Sequence, residues 1–87
     1  MTHKEVVVKN KAGIHARPAG MIVTIANKFK SQIYMESENG KINAKSIMGL
    51  ITLGVLCNTS VKIEAEGEDE KQAVEALVDI IERSFKE

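Results

Sequence analysis

The sequence predicts an α+β fold: an open-faced two-layer β-sandwich in the order β-α-β-β-α-β-α, with a four-stranded antiparallel sheet and three helices on one face. Three observations predict it. The strand-like segments alternate apolar and polar residues, which suits antiparallel strands wetted on one face better than parallel strands covered on both. The intervening segments either repeat apolar residues at spacings of three and four or lie between a good helix cap and a good helix stop. Finally, 87 residues leave room for one core, since domains run from about 50 to 250 residues. Residues 1–87 are therefore expected to form a single domain, without repeats, low-complexity tracts or a linker-like stretch.

Lys4 to Lys9, KEVVVK, is rich in β-branched residues and ends at the loop Asn10-Lys11-Ala12-Gly13, so it reads as the first strand. After Pro18, the residues Ala19, Ile22, Val23, Ala26 and Phe29 form the apolar stripe of an amphipathic helix. Ser31 to Ser37 alternates, with Ile33 and Met35 on one face and Gln32, Tyr34 and Glu36 on the other. Asn39-Gly40 offers the positive φ angles of a two-residue hairpin turn, leading into Lys41 to Ala44 as the partner strand. Ile47 to Leu53 is a short apolar run between Ser46, an N-cap, and Gly54, a stop, and predicts a helix of about two turns. Val61, Ile63 and Ala65 alternate with Lys62, Glu64 and Glu66 in the clearest strand of the chain. Asp69 followed by Gln72 resembles a capping box, after which Val74, Leu77, Ile81 and Phe85 mark the last helix.

Composition excludes several functions. Hydrophobic residues make up 44% and charged residues 28%, the balance of a chain that folds. Twelve Lys and Arg offset twelve Asp and Glu, so no net field gathers nucleic acid or an anionic membrane. A small α/β nucleic-acid-binding module could share the element order, but it would need a basic stripe or a stacking platform. The aromatics here are only Phe29, Tyr34 and Phe85. No apolar run approaches the roughly 20 residues that span a bilayer, so membrane insertion is not expected. A lone cysteine, Cys57, and a start without a signal-like apolar stretch point to a reducing, cytoplasmic setting. Cys57 itself needs no function.

The chemistry concentrates at AGIHARPAG, Ala12 to Gly20. His15 falls where the loop meets the first helix, at or beside the N-cap, and the unpaired N–H groups and dipole of a helix start favour an anion. Pro18 suits the first turn, although it biases Arg17 away from helical angles. Arg17 can lay a planar, permanently charged guanidinium beside the same anion. A neutral ring nitrogen can attack phosphorus, and the positive helix end favours the phosphohistidine that results. The residues alone leave two readings open: a phosphoryl site, or a capping histidine beside a solvated arginine. Hydrolytic and metal sites are disfavoured, because no carboxylate or cysteine accompanies His15 and His3 stands on another element.

GIHARPA around His15, KSIMGL around Ser46 and the order of the elements together resemble the histidine-containing phosphocarrier family, HPr, of the bacterial sugar phosphotransferase system, over essentially the whole chain. The resemblance implies that His15 accepts a phosphoryl group on Nδ1 from phosphorylated enzyme I, which draws it from phosphoenolpyruvate, and passes it to the A component of a sugar permease. Arg17 would help hold the group. The chain would then be a carrier rather than an enzyme, with no cofactor of its own. A purely regulatory member signalling through Ser46 is the alternative, though such relatives often lack the active histidine.

Ser46 reads by itself as a simple helix cap, with Gly49 in place of the Glu or Gln of a capping box. The resemblance adds that it is the target of an HPr kinase/phosphorylase. The seryl-phosphorylated form would lose affinity for enzyme I and bind the catabolite control protein, a transcription factor. Met21 lies off the first helix's apolar stripe, and the resemblance places Gly20, Met21, Ile47 and Met48 in a partner-docking surface around the histidine. Flexible methionine suits several partners. One departure concerns Ala12, where family members usually carry Ser or Asn near the phosphohistidine. Ala12 offers no side-chain hydrogen bond, so backbone N–H groups and Arg17 are left to hold the phosphoryl group.

Overall fold

The computed structural model describes residues 1–86; Glu87, the last residue of the expected domain, lies outside them. Its elements follow the expected order: β1 Thr2–Val8, α1 Ala16–Ala26, β2 Gln32–Ser37, β3 Gly40–Asn43, α2 Ile47–Leu53, β4 Thr59–Glu66 and α3 Glu70–Glu82. The sheet runs β1-β4-β2-β3, and every neighbouring pair is antiparallel. In β4, the central strand beside β1, Val61, Ile63 and Ala65 all point inward and are buried, as their alternation requires. Val6 and Val8 of β1 and Ile33 and Met35 of β2 join them. Helix α3 covers β1, β4 and β2, α2 packs against β3, and α1 lies against both other helices. Ile22, Leu50, Leu77 and Ile81 bring the helices into this core, each fully buried. A side chain of that kind contributes about 1.5–3 kcal/mol when removed from water.

The outer face of the sheet is less wet than alternation suggests. Glu64 is buried there by its neighbours, with Lys41 Nζ at 2.9 Å and Lys62 Nζ at 3.5 Å, while Lys62 also reaches Glu36 at 3.2 Å. The hydrogen bond from Lys41 holds the Glu64 carboxyl below the usual range. Lys41 also stands 5.0 Å over the Tyr34 ring. The three strands β3, β2 and β4 are thus tied by charge across their outer face.

Four local expectations are corrected. Ser37 pairs with Gly40, so the hairpin loop is Glu38-Asn39 rather than Asn39-Gly40. Gly40 takes a positive φ of +140° but Asn39 does not, and the Asn39 side chain donates from Nδ2 to the Leu53 carbonyl at the end of α2 at 3.3 Å. Helix α1 stops at Ala26, short of Phe29, and the turn that follows delivers Ser31 to α3.

Asp69 is the N-cap of α3 but makes no capping bond. Its carboxylate instead accepts from the backbone N–H groups of Lys30 at 2.8 Å and Ser31 at 2.9 Å and from the Ser31 hydroxyl. Glu70 takes over at the helix start, accepting from the Gly67 N–H at 3.2 Å. Gly67, with φ +151°, lets the buried Ser31 approach so closely that a Cβ there would lie 2.6 Å from the Ser31 hydroxyl.

Phe85 reaches the core, but not on the helix stripe. The chain reverses after Arg83: Ser84 donates to Ile81 O at 3.0 Å and Phe85 to Ile80 O at 2.9 Å, the two bonds of a Schellman cap. Ser84 occupies the left-handed position usually given to glycine, with φ +54°.

The Ser31 hydroxyl and the Lys30 amide depress the Asp69 carboxyl, and the Thr2 hydroxyl and the chain's amino terminus bring Glu70 from 4.5 to about 2. A carboxyl depressed in the folded state stabilises fully above its unfolded pKa and loses that contribution as pH falls through the folded value. Thermal stability is therefore expected to fall from about pH 4.5 toward pH 2. Asp69→Asn, whose amide directs a donor at backbone donors, is expected to lower Tm by several degrees at neutral pH and to flatten that acid limb. Melting curves from pH 7 to pH 2 measure both effects, and an unchanged acid limb would remove Asp69 as a cause.

Candidate functional site

The site begins with the turn between β1 and α1. Gly13 donates to Asn10 O at 3.0 Å, and Asn10 Nδ2 donates to Gly13 O at 2.6 Å, so residues 10–13 are closed by two bonds. Ile14 is buried and donates to Val55 O at 2.9 Å, tying the turn to the segment after α2. His15 follows as the N-cap of α1, with extended backbone angles of φ −102° and ψ −163°. Its carbonyl accepts from Ala19 N at 2.9 Å, while its exposed ring makes no capping bond.

Ala16, Arg17 and Pro18 are the first three residues of the helix, so Arg17 is helical despite the proline after it. The steric bias is a preference of the isolated chain, overridden here by burial of Pro18 and Ala19. Pro18 removes one of the donors that a helix start normally presents. The N–H groups of Ala16 and Arg17 belong to the first turn, where a helix offers them no acceptor of its own.

His15 and Arg17 line one open cavity of about 330 Å³ together with Asn10, Pro18, Met21, Ser84, Phe85 and Lys86. The two residues singled out by the sequence are thus brought together, and the C-terminal reversal supplies another wall. Asn10 and Lys86 were missed. Asn10 read only as a loop residue, and its closeness to the ring depends on the Gly13 turn. Lys86 arrives through the reversal at Ser84, for which the sequence gives no glycine signal.

Ser46 caps α2 as expected. Its Oγ accepts from Gly49 N at 3.0 Å and its carbonyl from Leu50 N at 3.1 Å. Gly49 permits this tight start, since a Cβ there would lie 3.2 Å from Ser46 Oγ and 3.3 Å from Ile42 Cβ. Gly54 ends the helix in the left-handed conformation, as the stop signal predicts.

Of the surface residues expected around the histidine, Ile47 is 45% and Met48 70% exposed, large values for apolar side chains. Met21 is half-buried against the core, and Gly20 is open, with nothing within 4 Å of an added Cβ. Ile51 and Leu56, outside the expected set, are also exposed. Their signal was available: on a helix whose buried residues are Leu50 and Leu53, Ile47, Met48 and Ile51 have nowhere to pack. Cys57 is half-buried, its thiol donating to Lys9 O at 3.3 Å.

Comparison with known proteins adds a family to this geometry. Residues 2–83 match the family model described as the PTS HPr component phosphorylation site. The HPr-like protein Crh of Halalkalibacterium halodurans is 46% identical over 83 residues, covering 95% of this chain and 99% of that protein. The phosphocarrier protein HPr of Treponema pallidum is 39% identical over 87 residues, covering 100% of this chain and 99% of the other. Among solved structures, HPr-C-His from Thermoanaerobacter tengcongensis superimposes with a TM-score of 0.95 at 53% identity, covering 100% of this chain and 98% of that one.

The cap at Ser46 yields a stability expectation. Ser46→Ala removes the acceptor for the Gly49 N–H and is expected to cost about 0.5–2 kcal/mol, with the fold unchanged. Urea unfolding of the two proteins measures the difference, and equal midpoints would mean that water satisfies Gly49 equally well.

Proposed function

This chain belongs to the HPr family of the phosphotransferase system, and on that premise we propose that it is a phosphoryl carrier charged on His15 by phosphorylated enzyme I and discharged to the A component of a sugar permease. The observation that carries the proposal is the meeting of His15 and Arg17 in one cavity at the start of α1. The lone pair of His15 Nδ1 attacks phosphorus, and the phosphorus bond to the donor breaks with its electron pair leaving on the donor. Arg17 offers parallel N–H donors to the phosphoryl oxygens, and Ala16 and Arg17 N–H add the helix end. Discharge is the same displacement with His15 as leaving group. The exposed ring lets a partner protein supply the rest of the catalytic surroundings, as befits a carrier rather than an enzyme.

Ser46 is proposed as the regulatory site, phosphorylated by an HPr kinase/phosphorylase. A dianion at the start of α2 adds charge beside the exposed Ile47 and Met48, on the surface assigned with Gly20 and Met21 to enzyme I docking. The same modification creates the form that binds the catabolite control protein. A second reading, a purely regulatory protein signalling through Ser46, draws on the 46% identity with the HPr-like protein Crh. Here His15 retains an accessible ring beside Arg17, which favours the carrier.

Incubation with phosphoenolpyruvate and enzyme I is expected to place one acid-labile phosphoryl group on the chain, and His15→Ala to abolish it. Labelling of that variant at the wild-type level would refute the nucleophile, whereas a wild-type protein that never labels would favour the regulatory reading. Arg17→Ala is expected to fold normally and to slow transfer, as it removes an exposed ligand and no core contact.

For the regulatory site, Ser46→Asp is expected to slow phosphorylation of His15 by weakening enzyme I docking, without loss of Tm. Initial rates across a range of enzyme I concentrations separate docking from chemistry. Superimposable curves for the two proteins would break the coupling between Ser46 and His15.

A further inference from the structure

One polar atom near the histidine is unaccounted for. Asn10 Oδ1 is buried and has no hydrogen-bond partner. A flip of the amide does not relieve it, since the same side chain donates at 2.6 Å to Gly13 O, and only the nitrogen can donate to a carbonyl. The turn that carries it is held on both sides, by Gly13 N on Asn10 O and by Ile14 N on Val55 O. A fixed, desolvated acceptor without a donor is costly, and a specific one in a native fold calls for a reason.

The reason lies in the cavity that Asn10 shares with His15. We infer that Asn10 is a positioning residue for the phosphoryl site: its Oδ1 accepts the Nε2–H of the His15 imidazole when the ring turns into the cavity, leaving Nδ1 as the nitrogen with the free lone pair. This inference rests on the carrier reading given above. A neutral imidazole has one N–H and one lone pair, so an oxygen that claims the N–H at Nε2 selects Nδ1 as nucleophile. When the Nδ1–phosphorus bond forms and the donor departs with its electron pair, the ring becomes cationic with its proton still on Nε2. The bond to Asn10 is then charge-assisted and stronger than before attack. An interaction that strengthens along the reaction speeds it, where one of constant strength does not. Arg17 and Lys86 also border the cavity, but their charges ride on long, exposed stems. The imidazole has a short stem on a backbone fixed by the cap.

The test compares the intact wild type with Asn10→Ala and Asn10→Asp. Asn10→Asp keeps an acceptor but loses the donor to Gly13 O, so it separates positioning of the ring from clamping of the turn. Nitrogen-15 chemical shifts of His15, recorded above the pH at which the ring titrates and without any partner, report the tautomer. The wild type and Asn10→Asp are expected to hold the Nε2–H form, and Asn10→Ala to give a mixture. Phosphorylation by enzyme I is expected to slow several-fold in Asn10→Ala. A wild-type tautomer in Asn10→Ala would overturn the inference, as would a mixture in Asn10→Asp equal to that in Asn10→Ala, which would leave only the clamp on Gly13. Because the tautomer is read on the free protein, failure of the carrier reading would appear separately, as a wild type that enzyme I cannot label.

Discussion

The backbone of Gly13 lies against the carbonyl of Val55 so closely that a Cβ at that position would stand 2.3 Å from the oxygen and 2.9 Å from Leu56 Cα. With φ +66°, the residue also needs a conformation that side chains disfavour, so both requirements select glycine. This contact lets Ile14 bond to Val55 O, while Asn58 bonds back to Val8 O at 2.6 Å. The connection from β1 to α1 is thereby stitched to the connection from α2 to β4. The entrance of α1 consequently has a fixed position relative to α2, and the placing of His15, Arg17 and Asn10 follows from it.

The two helix starts are built for different chemistry. At Ser46 the side chain already satisfies an N–H of its own helix, so the end is closed and self-sufficient. At His15 the ring makes no such bond, and the N–H groups of Ala16 and Arg17 stay available. A histidine that capped its own helix would spend a ring nitrogen on the backbone. A serine that did not cap would leave a seven-residue helix with little to hold its first turn. The carrier proposal uses the open end for a transient anion, and the regulatory proposal adds a dianion at the closed end, where the fold already stands without it.

Much of this was legible because it depends on local pattern. Alternation in β4, the cap and stop around α2, and a histidine just ahead of a helix each involve residues within a few positions of one another. Three misreadings have the opposite property. Asp69 looked like a cap by spacing, yet its carboxylate bonds a loop 38 residues away, and nothing nearby announces that partner. Asn39 gives its side-chain amide to a carbonyl 14 residues on. Asn10 looked like an ordinary loop residue, and nothing in its neighbours in sequence announces that its amide oxygen is buried without a donor. Spacing reveals a side chain's options, and the tertiary fold decides among them.

The C-terminal reversal shows how stability and the site are linked. Two consecutive non-glycine residues, Ser84 and Phe85, hold positive φ, an arrangement that costs on the order of 1–3 kcal/mol per residue. Against this stand the two Schellman bonds to Ile80 and Ile81 and burial of the Phe85 ring, 6% exposed, which contributes about 1.5–3 kcal/mol. The terms are of similar size, so the ring is the anchor that keeps the reversal in place. Because the reversed residues line the cavity of His15, that part of its wall is held by hydrophobic burial. The proposed phosphoryl site therefore has one side set by a glycine that no other residue can replace and another by an aromatic ring whose packing offsets backbone strain.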